Sequence, residues 1–328
     1  MDTKETKNQH YVSRYYLKYW LTTRGKTAGV WARRSEDGKL FFASDLNAIS
    51  QINRFYRVEV DGDVLDLLRY KYADRKLDYL EPMFAELSVL SMVSEYRSKE
   101  LPSHEKLKVL ETNYLEEKYA AIENACSRLL APLKDMDWPL LKDTPESAAN
   151  FYSCLLALYA TQLFRTAKMR TRVMESINAL TLHTDKAVVV LSEAQKETFL
   201  KLVTYIESLE LAMQLERDSV QIDIHVNDSE IKFLTSSAPA HQVHAEADAQ
   251  KKFLKLGGFM PLSPSHFMMI RKDDSTSRKI NVLTADPATV GRLNSMFIRN
   301  SGDCDMYSTS EEALKQLRLS AGAPKTQP

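Results

Sequence analysis

The stretch "TPESAANFYSCLLALYATQLFRTAKMRTRVMESINAL", residues 144–180, contains the most apolar run of the chain, and a dense group of cations follows that run. Thr144 is a favourable N-cap, and Pro145 suits the first helical position. The apolar run, 150–164, is too short to span a bilayer and is followed by Arg165. The pattern predicts one long helix whose first half is buried and whose second half is basic.

Further helical patterns lie on both sides of this central helix. Residues 63–98 have helical periodicity, with Pro82 near a helix start or a kink. Ser103 and Ser192 are the predicted N-caps of two more helices. These two helices cover residues 103–132 and 192–218. Together the segments predict a central helical bundle over residues 63–218.

Two regions outside the bundle have β patterns. The segment "GVWARRSEDGKLFFAS" (29–44) is typical of a β-hairpin in which Gly38 takes a positive φ. Residues 53–60 predict a third strand near this hairpin. Beyond the bundle the hydrophobic period changes to two, and residues 220–236 predict a second hairpin that turns at Asn227.

We therefore expect an α+β fold with a mainly α-helical central bundle, a small N-terminal β-hairpin sheet and a C-terminal mixed β-sheet. We expect a single domain over residues 1–318 and a disordered polar tail over residues 319–328. The expected parts of this domain are an opening helix with the small sheet, the helical bundle and a C-terminal α+β part, over residues 10–60, 63–218 and 219–318.

The overall charge restricts the classes of function. Lys and Arg total 44, as do Asp and Glu, so the net charge is zero and a generally basic nucleic-acid coating protein is excluded. The three cysteines, Cys126, Cys154 and Cys304, have no metal-site spacing and are expected to be small reduced hydrophobes. With no secretory signal in the sequence, we expect a cytoplasmic protein that has no membrane segment, metal or cofactor.

The opening stretch "KNQHYVSRYYLKYWLT" (7–22) is unusually aromatic for a terminus and also contains a histidine and an arginine. Taken as a helix, it places His10, Arg14 and Leu17 near one face. Histidine can act as a general acid or base near neutral pH, and arginine binds phosphate or carboxylate. Two interpretations stay open: His10 and Arg14 are catalytic, or they tie a terminal helix to the domain.

A second candidate site lies on the basic half of the central helix. In an unbroken helix Gln162, Arg165 and Arg172 share one stripe, and residues 165–172 contain four cations and no carboxylate. Arg165 lies at the edge of the buried side, where an unpaired charge is costly. Either an acidic residue such as Glu86 or Glu95 neutralises Arg165, or an anionic ligand does. Gln162, Arg165 and Arg172 are therefore the predicted ligand-binding residues.

A third candidate is Ser237 in "TSSAP", directly after a predicted strand, where binding groups are common. The chain has no Gly-x-Ser-x-Gly elbow, so a nucleophilic role is disfavoured, and Ser237 either binds a ligand or stabilises a turn. His241 and His244 lack two further ligands for a metal ion.

Several blocks resemble a family of bacterial proteins known as DUF4238, a domain of unknown function. "HYVSRYYLKYW" (10–20) is similar to the family's opening "HYVPxxYLxxF", and "QLFRTAKMR" (162–170) to its "QxxRTPxxR". "FLTSSAPA" with "MPLSPSHFMMI" (233–270) resembles "ITSDNPV … PLSP". "RLNSMFI" with "MYS" (292–308) resembles its closing "LN … VYS".

The departures from the family pattern affect the expected function. Ser13 and Ala167 stand where the pattern has proline, and Ser237 stands where it has aspartate. Serine cannot replace the charge of a carboxylate. The resemblance implies a single family-wide architecture and says little about activity, and the lost aspartate favours binding over catalysis.

Two functional hypotheses from different classes follow. The first is a His/Arg/Gln polar pocket that binds a phosphate-bearing ligand, or a sensor or interaction component. The alternative is a metal-independent nuclease of the RNase type, in which His10 is the general acid or base and Arg14 with Arg165 stabilises the phosphorane. The partners to expect are a nucleic acid, a nucleotide or a protein. A place in bacterial phage defence or a toxin system is a further prediction.

Overall fold

The computed structural model describes residues 5, 8–75, 79–98, 104–130, 145–179, 182–183, 188–189, 191–242, 256–271 and 279–317. The chain has an α+β fold, and this confirms the predicted class. Helices occupy most of the middle of the chain, and most strands lie in its first and last parts.

Nine helices lie within the described ranges. In chain order they are α1 (Arg14–Lys18), α2 (Gly62–Lys71), α3 (Leu80–Ser98), α4 (His104–Leu130), α5 (Pro145–Phe164), α6 (Ala167–Ala179), α7 (Glu193–Arg217), α8 (Pro287–Ser301) and α9 (Glu311–Lys315). Ser192 caps α7 as predicted, and Gln195 completes a capping box with it. The predicted caps Ser103 and Thr144 lie outside the described residues.

The strands are short, and most belong to two larger sheets. They are β1 (Asn8–His10), β2 (Thr22–Arg24), β3 (Thr27–Arg33), β4 (Leu40–Ala43), β5 (Gln51–Asn53), β6 (Leu182–His183), β7 (Val188–Val189), β8 (Gln221–Val226), β9 (Thr235–Ser236), β10 (Leu256–Ser263), β11 (His266–Arg271), β12 (Lys279–Thr284) and β13 (Met306–Ser308). Strands β1 and β5 form one small antiparallel pair, and β6 and β7 form another.

The first larger sheet joins the two ends of the chain. Its order is β2-β3-β13-β9, and β4 pairs with β3. The β3–β4 hairpin confirms the prediction for residues 29–44, and Gly38 has the expected positive φ of 69°. Tyr307 of β13 pairs with Ala32 of β3. The sheet predicted as N-terminal therefore also contains strands from the C-terminal part.

The second larger sheet is the C-terminal mixed sheet. Its order is β10-β11-β8-β12, with antiparallel pairing except between β8 and β12, which are parallel. Gly258 of β10 lies so close to the Tyr159 side chain of α5 that a Cβ atom at this position would overlap it. The absent side chain therefore lets the sheet approach the central helix closely.

The predicted hairpin over residues 220–236 is wrong. Strand β8 pairs with β11 and β12 instead, and only Thr235 and Ser236 form a strand further along, which pairs with β13. The side chain of Asn227 accepts hydrogen bonds from the backbone N–H and hydroxyl of Ser229. This local Asx turn ends β8 without returning the chain beside it.

Two predicted elements near the N-terminus are also wrong. Residues 53–60 form no strand beyond β5, since Arg54 has a φ of 51° and the chain turns there. The opening stretch is not one helix, because His10 ends β1 and α1 begins only at Arg14. His10 and Arg14 therefore do not share a helical face. The helical pattern over 63–98 forms the two helices α2 and α3, and Pro82 lies near the start of α3 as predicted.

The buried side chains form two apolar cores. The first packs α1, α5 and α8 against the sheets and includes Trp20, Leu155 and Phe259. The second lies among α2, α3, α4 and α7 and includes Leu68 and Phe199. Each fully buried large apolar side chain contributes about 1.5–3 kcal/mol, so these clusters dominate the stability of the fold. No helix in the described ranges is long and apolar enough to cross a membrane.

Candidate functional site

The predicted central helix is interrupted at the start of its basic half. Helix α5 ends at Phe164 and α6 begins at Ala167, so the single long helix is wrong. The hydroxyl of Thr166 donates to the carbonyl of Leu163 and accepts from the N–H of Met169 at 3.3 Å. Thr166 therefore terminates one helix and caps the next. The break changes the direction of every side chain that follows it.

Arg165 lies in this break and is buried, with only 4% of its surface exposed. Its Nη1 group forms an ion pair with the Glu123 carboxylate on α4, and its Nη2 group donates to the main-chain carbonyl of His10. The guanidinium carbon lies 5.2 Å from the ring centre of Tyr56 and 4.8 Å from that of Tyr119. Cation–π contacts of this kind stabilise a desolvated cation.

The acidic partner of Arg165 differs from the predicted ones. Glu123 takes this place, whereas Glu86 accepts hydrogen bonds from Tyr114 and Lys118. Burial lowers the pKa of the Arg165 guanidinium, but the negative groups around it, Glu123 among them, outweigh burial and raise it. Arg165 therefore stays charged, and an internal ion pair neutralises part of that charge.

A cleft opens beside Arg165, and we call it the Arg165 cleft. Residues from the turn after β5, from α4, from the α5–α6 break, from α6 and from α7 form its walls. They are Phe55, Tyr56, Tyr119, Arg165, Arg170, Lys201 and Thr204. The cleft is therefore lined by one phenylalanine, two tyrosines, three cations and one threonine, and by no carboxylate.

The size of the Arg165 cleft limits what it can hold. About 230 Å³ of the cleft is free of protein atoms, counting the solvent at its mouth, and water-sized groups can occupy about 10 Å³ of that space. A volume of that size holds about one water molecule. Only a small chemical group fits between the walls, and a larger ligand must extend into the solvent.

Two buried donors in the cleft walls have no hydrogen-bond partner among the described residues. They are the Nε group of Arg165 and the hydroxyl of Thr204, and both residues are nearly fully buried. An unsatisfied buried polar group costs about 1–3 kcal/mol. Such donors mark a position where an acceptor, either water or a ligand oxygen, would be stabilised.

The other two cations of the cleft differ in their pairing. Arg170 forms an ion pair of 2.6 Å with Glu197, whose side chain is 42% exposed, and its guanidinium lies 4.6 Å from the ring centre of Phe55. The Lys201 ammonium donates to the carbonyl of Arg57 at 2.8 Å. In the part of the chain that the structure describes, Lys201 has no carboxylate partner. Burial, followed by the charges of Arg170 and Arg57, lowers its pKa, although Glu197 and Glu59 oppose this.

A second carboxyl group, Glu116, lies near the Arg165–Glu123 ion pair. Glu116 is two turns before Glu123 on α4, so the two share a helix face. Burial raises the pKa of Glu116 to about 7, the negative charge of Glu123 adds to this, and Arg165 opposes it. One arginine thus stands beside two carboxyl groups, and the second of them holds its proton near neutral pH.

The predicted catalytic residue His10 contacts Arg165 through its main-chain carbonyl. Its carbonyl accepts from Arg165 and from the Tyr56 hydroxyl, the latter at 2.9 Å. Its imidazole is buried, and Nε2 lies 3.4 Å from the Asn47 side-chain oxygen. Burial lowers the pKa of His10, and the charges of Arg14 and Arg165 lower it further. The ring is therefore neutral at pH 7 and does not line the cleft.

The other predicted site residues are dispersed. Arg14 and Arg172 are exposed, and neither guanidinium has a hydrogen bond or ion pair with a described residue. Gln162 is 1% exposed, and neither atom of its amide has a partner in the described ranges. Ser237 accepts from the N–H of Asp305 at 3.1 Å, so its hydroxyl joins the loop after β9 to the chain before β13. Of the predicted set, Arg165 alone lines the cleft.

The helical spacing argument missed Arg170, although a family-like block of the sequence contains it. The family-like block "QLFRTAKMR" ends at Arg170, which lines the cleft, whereas an unbroken helix pointed to Arg172. The family pattern has proline at the position of Ala167, the first residue of α6, and threonine followed by proline is typical of a helix start. Lys201 and Thr204 had no comparable signal, since they lie in an ordinary amphipathic helix.

In the described ranges, no group of three or more His, Cys, Asp or Glu side chains is placed to hold a metal ion. Cys126 and Cys154 are buried, Cys304 is partly buried, and none of the three forms a disulfide bond with a described residue.

Comparison with known proteins identifies the family. The family model described as "Protein of unknown function (DUF4238)" matches residues 8–310, a range that includes every residue lining the Arg165 cleft. No curated protein and no solved structure matches the chain. Because the match covers nearly all of the 328 residues, the chain belongs to the DUF4238 family.

Proposed function

We propose that this protein binds a phosphate-bearing ligand in the Arg165 cleft. The observation that carries the proposal is the pair of buried, unpartnered donors, Arg165 Nε and the Thr204 hydroxyl, in a cleft lined by three cations, of which Lys201 has no carboxylate partner among the described residues. Anionic oxygens of a ligand would accept these hydrogen bonds. Charge-assisted hydrogen bonds of this type are shorter and stronger than neutral ones.

The cations of the cleft have different roles in binding. Arg165 is held rigidly by Glu123 and by the His10 carbonyl, so its direction is set before a ligand arrives. Arg170 and Lys201 lie nearer to solvent and attract the anion to the mouth of the cleft. A preorganised donor loses little conformational entropy on binding, and this favours affinity.

Binding is preferred over catalysis because of how the predicted catalytic groups are arranged. The nuclease hypothesis requires His10 near Arg165, and the two residues do touch, which favours it. However, the contact uses the His10 carbonyl, the imidazole is buried beside Asn47, and Arg14 is exposed. A general acid or base must reach the proton that it transfers, within about 3 Å. The roles in phage defence or in a toxin system stay predictions from the sequence.

The proposal is tested by calorimetric titration of the purified protein with inorganic phosphate and pyrophosphate at constant ionic strength. Thr204→Val keeps the shape of the side chain and removes the hydroxyl, and Lys201→Met keeps the apolar stem. Loss of one hydrogen bond to a charged group costs about 1.5–3 kcal/mol, so each variant should bind at least about tenfold more weakly. Arg172→Gln on α6 is the matched control and should bind like the wild type.

Stability measurements separate binding from folding in the same variants. Thr204→Val should unfold at the same temperature as the wild type or slightly higher, because it removes an unsatisfied buried hydroxyl. A wild type that binds neither anion contradicts the proposal. EDTA-resistant cleavage of RNA or single-stranded DNA that is lost in His10→Ala and Arg165→Ala, both still folded, favours the nuclease instead.

A further inference from the structure

We infer that the Arg165 cleft recognises a terminal phosphate group, and that it reads neither a nucleobase nor the internal phosphodiesters of a nucleic-acid chain. This inference rests on the proposed function and names the class of ligand. The ligand is a phosphate monoester whose remaining part stays in the solvent at the mouth of the cleft. Three features of the cleft lead to this conclusion: its rings, its size and its unpartnered polar groups.

The rings of the cleft are not available for stacking on a base. The guanidinium of Arg165 lies over Tyr56 and Tyr119, and that of Arg170 lies over Phe55. The rings also pack on one another, with centres 4.8 Å apart for Phe55 and Tyr56 and 4.9 Å apart for Tyr56 and Tyr119. All three residues are at most 8% exposed. A nucleobase needs an open aromatic face, and these faces are already covered.

Arg165 lines the cleft and cannot move aside easily. Its side chain is 3% exposed and is fixed by Glu123 and by the main chain of β1. Water-sized groups can occupy only about 10 Å³ of the cleft, room for about one such group. A polynucleotide needs an open groove that its backbone can follow past the binding residues. A cleft of this size admits the end of a molecule and excludes the middle of a chain.

The cleft offers a ligand two unpartnered hydrogen-bond donors and one cation, Lys201, that has no carboxylate partner among the described residues. Arg165 and Arg170 also line the cleft, but they are already paired with Glu123 and Glu197. A phosphate monoester carries about 1.5 to 2 negative charges at pH 7 and has three terminal oxygens for hydrogen bonds. An internal phosphodiester carries one negative charge and has two free oxygens. A monoester therefore offers more acceptor oxygens than a diester to the two unpartnered donors, Arg165 Nε and the Thr204 hydroxyl.

The test compares four small molecules by calorimetric titration against the wild type and Thr204→Val. They are ribose 5-phosphate, adenosine 5′-monophosphate, adenosine and the dinucleoside monophosphate ApA, which has an internal phosphodiester and no terminal phosphate. The two monoesters should bind with dissociation constants within about threefold of each other. Adenosine and ApA should bind at least about thirtyfold more weakly. Thr204→Val should weaken both monoesters by the same factor.

Two results overturn the inference and leave the proposed function standing. One is adenosine 5′-monophosphate binding more than about tenfold tighter than ribose 5-phosphate, which would mean that the base is recognised. The other is ApA binding as tightly as the monoesters. In both cases the weakened binding of Thr204→Val still assigns the ligand to the cleft. If neither the monoesters nor inorganic phosphate binds, the inference and the proposed function fail together.

Discussion

Arg165 donates from its Nη2 group to the main-chain carbonyl of His10, which lies 155 positions earlier in the chain. The contact brings together the opening family block and the central one, at a break between two helices. Gln9, the residue before His10, donates to the carbonyl of Thr112 on α4, and Tyr11, the residue after it, packs against both apolar cores. The aromatic opening stretch is therefore an ordered part of the fold.

Replacement of Arg165 by methionine should destabilise the protein strongly. The change removes a buried cation, leaves the Glu123 carboxylate without its ion-pair partner and takes one of two donors from the His10 carbonyl. Removal of one partner of a buried ion pair lowers the free energy of unfolding by about 3–5 kcal/mol. Urea unfolding of Arg165→Met should show a loss in this range, and the double variant with Glu123→Gln should recover part of it.

The control for this prediction is Arg172→Met on the adjacent helix. Arg172 is exposed, and its guanidinium has no partner among the described residues, so the change should alter stability by less than about 0.5 kcal/mol. Equal effects of the two substitutions would contradict the role that we assign to the Arg165 ion pair.

Replacement of Gln162 by methionine should leave stability unchanged or raise it by about 1 kcal/mol. Both polar atoms of the Gln162 amide are buried without a partner in the described ranges, and methionine has a similar shape. Thermal unfolding and phosphate titration of the variant measure the effect. A loss of more than about 1 kcal/mol, or weaker phosphate binding, would mean that the amide has an important partner.

Glu116 should make the protein less stable as the pH rises from about 4.5 to about 7. Its pKa is raised from 4.5 to about 7 in the fold, first by burial and then by Glu123. The folded state therefore holds a proton that the unfolded state has already released in this range. Stability falls as pH rises through this window and is independent of this group above it. At about 1.4 kcal/mol per pKa unit, the full effect is at most about 3.5 kcal/mol.

The measurement is urea unfolding of Glu116→Gln and the wild type at pH 5 and pH 8. The variant should be more stable than the wild type at pH 8, and the difference should shrink at pH 5. The pKa of His10 is lowered in the fold, so protonation of His10 destabilises the folded state as pH falls below about 6.5. This loss of stability is the same in both proteins and cancels in the comparison. An identical difference in the free energy of unfolding at the two pH values would contradict the raised pKa of Glu116.

Gly258→Ala should destabilise the contact between the mixed sheet and α5. A Cβ atom at this position would overlap the Tyr159 side chain and would lie 2.8 Å from the carbonyl oxygen of His241. Overpacking of a buried site costs about 1–3 kcal/mol. Gly291→Ala on α8 is the matched control, because its Cβ would meet open space and should stabilise the helix by about 0.5–1 kcal/mol. Chemical denaturation of both variants should give changes of opposite sign.

The local features of the sequence predicted many of the elements correctly. Helix α7 begins at its capping box, α5 begins at Pro145, and the β3–β4 hairpin turns at Gly38. In each case the cause is a short-range preference: a side chain that caps a helix, a fixed φ or a tolerated positive φ. The α+β class follows from the same patterns, and the family follows from blocks in a constant order.

The sequence by itself determined the class of the fold, the family and the identity of Arg165 as a buried cation that needs a partner. The tertiary structure decided which partner that is, since Glu123 reaches Arg165 from a helix 42 positions away. It also decided that Arg170, Lys201 and Thr204 share a cleft, because the break at Thr166 redirects α6 towards α7. Such groupings depend on how distant elements pack, and hydrophobic periodicity carries only the local part of that information.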